Sequence, residues 1–74
     1  MTYEELTSAA RELVVEYYNI HNEQKIIVED VCLDSAYEND HVRAITLTVP
    51  DFDNRYYEVT WNKTTGEVRT RIYK

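Results

Sequence analysis

His21 and His41 are the only imidazoles in the chain and Cys32 is the only thiol, so base, nucleophile and soft-metal chemistry have three side chains to draw on. The histidines lie twenty residues apart in expected loops, with no second histidine, cysteine or patterned carboxylate beside either. A metal centre or a general base needs such partners to converge. No serine or cysteine is placed by spacing for either ring to activate, so nucleophilic catalysis has no constellation, and the chain reads as a non-enzyme without a cofactor. A lone cysteine also excludes an intramolecular disulfide. Between Val31 and Leu33, Cys32 reads as a small buried hydrophobe.

Asp51, Asp53 and Asn54 have the alternating oxygens with which a calcium loop opens. The sixth and twelfth places of that loop, glycine and glutamate in an EF-hand, hold Tyr56 and Asn62, so the segment reads as a polar loop and no metal is expected. Asn62-Lys63-Thr64 is formally a glycosylation triplet and is better read as turn chemistry. Two other groupings suggest contact rather than catalysis. Seven tyrosines in so short a chain point to an aromatic surface around Tyr56 and Tyr73, because tyrosine offers contact area at low entropic cost. Glu29, Asp30, Asp34, Glu38 and Asp40 form an acidic run. It reads as a solvated strand edge whose charges oppose aggregation, or as a row of carboxylates imitating nucleic acid.

Fourteen acids against eight bases give a net charge of −6, which argues against direct nucleic-acid binding, since phosphate contacts need clustered Lys and Arg. The charge is polarised. Residues 1 to 40 hold ten acids against Arg11 and Lys25, while residues 41 to 74 hold four acids against six bases. No run approaches the roughly 18 apolar residues of a membrane span, and the opening residues do not form a signal peptide. The expected location is cytoplasmic if the chain is complete and extracytoplasmic if it is an excised domain. With 74 residues there is material for one domain and one small core.

Thr2 and Glu5 have capping-box spacing, so a helix should start there. Leu6, Ala10, Leu13, Tyr17 and Ile20 follow at intervals of three and four, widened by Ala9 and Val14, and the polar run Asn19 to Gln24 ends the helix. From Lys25 the period changes to two. Four strands are expected: Ile26 to Leu33, Val42 to Val49, Arg55 to Asn62 and Glu67 to Tyr73. Glu38-Asn39-Asp40 forms a turn, and Asn62 to Gly66 forms a hairpin loop with Gly66 in the left-handed conformation.

These elements predict an α+β domain in which one helix packs on a four-stranded antiparallel sheet. Its inner layer would be Ile45, Leu47, Val49, Tyr57, Val59, Trp61, Val68 and Ile72. The outer face would carry Thr46, Thr48, Glu58, Thr60, Arg69 and Arg71. Ile26 to Leu33 is apolar in both phases, with Glu29 and Asp30 interrupting it as a bulge or an edge would. Cover on both faces would need a second copy, so a homodimer through strand 26–33 is an option.

A helix opening Tyr3-Glu4-Glu5-Leu6 and containing Ala9-Ala10, two strands, and then Tyr56-Tyr57-Glu58-Val59-Thr60-Trp61-Asn62-Lys63-Thr64-Thr65-Gly66-Glu67-Val68 resembles the PepSY domain family. Tyr57, Val59, Asn62, Thr65, Gly66 and Val68 occupy that family's Tyr-x-Val and Asp-x-x-Thr-Gly-x-Val positions, with Asn62 in place of the usual aspartate. The resemblance implies an extracytoplasmic setting, association with peptidase propeptides and a role in peptidase inhibition or regulation. The expected function is a non-enzymatic protein-binding module, a regulator or inhibitor acting through Tyr56, Glu58, Thr60, Arg69, Arg71 and Tyr73. The alternative is an acidic, nucleic-acid-mimicking inhibitor of a DNA-processing enzyme, such as a mobile element encodes.

Overall fold

The computed structural model describes residues 1–73. It contains one helix, α1 (Tyr3–His21), a 3-10 turn at Val28–Asp30, and the strands β1 (Cys32–Glu38), β2 (Val42–Thr48), β3 (Tyr56–Asn62) and β4 (Val68–Tyr73). The strands pair antiparallel in the order β1-β2-β3-β4, which leaves β1 and β4 as edges, and the helix lies over β2 and β3. The expected helix-on-sheet architecture is therefore present.

The capping box forms as spaced. The Glu5 amide donates to Thr2 Oγ1 at 3.1 Å, and the Thr2 amide donates to Glu5 Oε1 at 2.8 Å. The helix buries Leu6, Ala10, Val14 and Tyr18, a narrower stripe than the periodicity suggests: Tyr17 is half-buried, Leu13 is 40% exposed and Ile20 is 71% exposed. The reason lies in the segment after the helix. Ile26 and Val31 are buried in the same cluster as Val14 and Tyr18, and Phe52 meets the Tyr18 ring edge-on at 6.1 Å. Core material on that flank turns burial toward Val14 and Tyr18 and leaves Leu13 and Ile20 on the other.

The first strand is displaced from its expected place. Residues 26–31 are a loop and a 3-10 turn, and β1 occupies Cys32–Glu38, of which only Cys32 and Leu33 fall within the expected strand. Two side chains supply the polar partners that a sheet ladder would otherwise give. Asn19 accepts from the Ile26 amide at 2.8 Å and donates to its carbonyl at 3.1 Å, and Asp30 accepts from the Ile27 amide at 2.9 Å. Ile26 and Val31, each 2% exposed, enter this chain's own core, whereas Ile27, Val28 and Leu33 of the same run stay exposed. The bulge falls between Leu33 and Ser35, at Asp34, rather than at Glu29 and Asp30. Cys32, expected to be buried, is exposed, because it stands opposite Thr48 on the uncovered face of an edge strand.

Ile45, Leu47, Val49, Tyr57 and Val59 form the inner layer as expected, each at most 1% exposed. Trp61 and Ile72 are half-buried and Val68 is 39% exposed, since one helix does not reach across β4. The Tyr57 hydroxyl donates to Asp53 Oδ2 at 2.7 Å. Burial first, and that carboxylate second, push the phenol above its ordinary pKa. In the β3–β4 hairpin, Asn62 Oδ1 accepts from the Thr64 and Thr65 amides, and the Gly66 amide donates to the Asn62 carbonyl. Gly66 has φ 75°, and a Cβ added there would meet nothing within 4 Å. Gly66→Ala is therefore expected to cost only the left-handed backbone penalty of about 1–2 kcal/mol, read as a shifted denaturation midpoint with an unchanged slope.

Candidate protein-binding surface

With the helix on one side, the opposite face of the sheet carries no covering element among the described residues. Antiparallel register sorts its side chains into rows that cross the strands. Thr48, Tyr56 and Tyr73 share one row; Thr46, Glu58 and Arg71 the next; Ala44, Thr60 and Arg69 the third. The six residues singled out from the sequence are thus three adjacent cross-strand pairs at the β4 end of the sheet. Tyr56 and Tyr73 stack with ring centroids 5.8 Å apart and planes at 24°. The Arg69 Nε donates to Glu67 Oε1 at 2.6 Å, and Arg71, across from Glu58, makes no side-chain ion pair or hydrogen bond among the described residues. Shallow depressions of about 350 and 320 Å³ flank Arg69 on this face.

β1 extends the same surface in a way the sequence did not disclose. Ser35 stands opposite Thr46 and Tyr37 opposite Ala44, with Tyr37 60% exposed and its hydroxyl accepting from Asn39 Nδ2 at 3.0 Å. The bulge at Asp34 shifts the alternation by one residue and hides the period. Counting alternation separately on each side of Asp34 would have recovered it.

The acidic residues are not assembled into a row. Glu29 and Asp30 belong to the 3-10 turn, where Asp30 bonds the Ile27 amide. Asp34 sits at the bulge, Asp40 lies in the turn after β1, and Glu38 ends the strand on the helix side, where it binds the Lys63 ammonium and the Arg43 guanidinium, the latter at 2.8 Å. Lys63 first and Arg43 second draw the Glu38 carboxyl from 4.5 down to about 2. A depressed folded-state value means the stabilisation is complete above about pH 4.5 and is lost as the pH falls toward 2. Wild-type protein should accordingly lose melting temperature faster than Glu38→Gln over that interval; parallel curves would show that the contact has no linkage.

Asp53 also accepts from the Arg55 amide at 3.1 Å, and the His21 ring meets Tyr17 edge-on at 4.2 Å. A groove of about 370 Å³ beside the helix is lined by Tyr3, Glu4, Thr7, Ser8, Arg11, Glu12 and Val28, without histidine or cysteine. No group of three or more His, Cys, Asp or Glu stands together as a metal site, and no helix is long and apolar enough to cross a membrane, among the described residues.

No family model, curated protein or solved structure matches this chain.

Proposed function

We propose that the chain is a non-enzymatic protein-binding module, a regulator or inhibitor whose partner docks on the open sheet face and its free edge. The observation that carries the reading is the ordering of Tyr56, Glu58, Thr60, Arg69, Arg71 and Tyr73 into adjacent cross-strand pairs on a face that no element among the described residues covers. Stacked tyrosines beside arginines are the side-chain types that dominate binding energy at protein interfaces. The resemblance to PepSY domains supports a peptidase as the partner.

Mimicry of nucleic acid draws less support, because it needs unpaired carboxylates in a row. Glu38 is bound by two cations and Asp30 by a backbone amide. Capture from the source cell with Tyr56→Ala/Tyr73→Ala as the comparison tests the reading. A partner held at micromolar concentration by the wild type and lost by the double variant supports it. Recovery of no specific protein, or equal retention by both, refutes it, and inhibition assays on a recovered peptidase would then separate regulator from inhibitor.

A further inference from the structure

We infer that the free edge of β4 accepts an extended peptide segment in which apolar and acidic residues alternate, a proposal that rests on the protein-binding reading above. The two edges of the sheet are not equivalent. β1 is broken by its bulge and carries Asp34 and Glu38, devices that discourage strand addition. β4 pairs with β3 in unbroken register over Val68–Tyr73, with no bulge and no proline.

Its outward hydrogen-bonding groups follow from the ladder. The Asn62 amide donates to the Glu67 carbonyl at 2.8 Å, which makes 62 and 67 a hydrogen-bonded pair. Antiparallel pairs alternate, so Thr60–Arg69, Glu58–Arg71 and Tyr56–Tyr73 are bonded too, and the amides and carbonyls of Val68, Thr70 and Ile72 point away from β3 to the free edge. On the helix side of that edge lies apolar surface without cover. Val68 is 39% exposed, and Leu13 at 40% and Ile20 at 71% lie on the helix flank of Tyr17, whose ring meets Tyr57 at 6.1 Å beside Ile72.

On the opposite side of the same strand Arg69 is held by Glu67 at 2.6 Å, while Arg71, across from Glu58, makes no side-chain ion pair or hydrogen bond among the described residues and is the guanidinium left to meet an incoming carboxylate. A strand laid along the edge therefore places alternate residues beside Val68, Thr70 and Ile72 on the helix side and the intervening ones beside Arg69 and Arg71, which favours apolar and acidic residues in turn. A second copy is a poor occupant: β4 against β4 in antiparallel register, centred on Thr70, sets Arg69 opposite Arg71 of the other copy on one face.

The probe is a capped seven-residue peptide alternating glutamate and valine, titrated into isotopically labelled full chain. Amide signals of Val68, Thr70 and Ile72 should shift and exchange more slowly, while a lysine–valine peptide and one with the same residues in two blocks should bind at least about tenfold more weakly. Arg69→Gln/Arg71→Gln, both exposed, should weaken binding by about fivefold. Thr70→Pro removes an outward donor and no ladder bond, and should abolish binding; the arginine variant keeps the test decisive if the proline variant does not fold. Absence of shifts at millimolar peptide overturns the inference. So do concentration-dependent shifts of residues 68, 70 and 72 in protein alone, which would assign the edge to a second copy. Shifts confined to Tyr56, Glu58 and Thr60 overturn strand addition while leaving the protein-binding reading standing.

Discussion

Leu47→Ala is expected to lower the melting temperature by roughly 12–24 °C, the equivalent of about 3 kcal/mol in a domain of this size. Leu47 is fully buried at the middle of the sheet, opposite Leu33 on β1 and Tyr57 on β3, under the part of the sheet the helix covers. Removing its branched end opens a void that paired strands on both sides cannot collapse to fill, so the cavity cost adds to the lost transfer free energy. Leu13→Ala provides the contrast. The two leucines are equally apolar in sequence, but Leu13 keeps 40% of its surface in water and its truncation should cost about 1 kcal/mol or less. Thermal melts by circular dichroism distinguish the two, and equal effects would mean that the helix does not sit over β2 and β3.

Asn19→Ala should have the second-largest effect, about 2–3 kcal/mol, from the two buried backbone groups left without partners. The Asn19 side chain serves both the amide and the carbonyl of Ile26, a residue only 2% exposed, and in doing so replaces a strand partner. The amide of Ile26 should then exchange with solvent as an unprotected loop amide does. Asn19→Asp keeps the acceptor and loses the donor, so its loss should be intermediate. If both variants melt within about 2 °C of the wild type, water supplies the missing bonds and the clamp is not needed.

The helix, β2, β3 and the hairpin were legible because each follows from local rules. Thr2 and Glu5 cap by spacing, Ile45, Leu47 and Val49 share a face by period two, and Gly66 supplies the positive φ that closes the turn. β1 was not legible. Its bulge breaks the period, its residues are exposed on both faces, and in the apolar run before it only Ile26 and Val31 are buried, with side-chain clamps rather than a ladder serving its backbone. The candidate surface stands between these cases. Its six residues share a face by alternation alone, whereas their pairing as neighbours depends on the register of β3 with β4.

The sequence by itself determined a single helix, a polarised charge, two alternating central strands and a glycine-closed hairpin, since these depend on neighbours within a few residues. Tertiary structure decided which helix residues are buried, where the first strand lies and that Glu38 is neutralised by Arg43 and Lys63. Those outcomes depend on contacts between distant segments: Ile26 and Val31 compete with Leu13 and Ile20 for one small core, and a helix wide enough to cover two strands leaves β1 exposed and β4 covered only at Ile72.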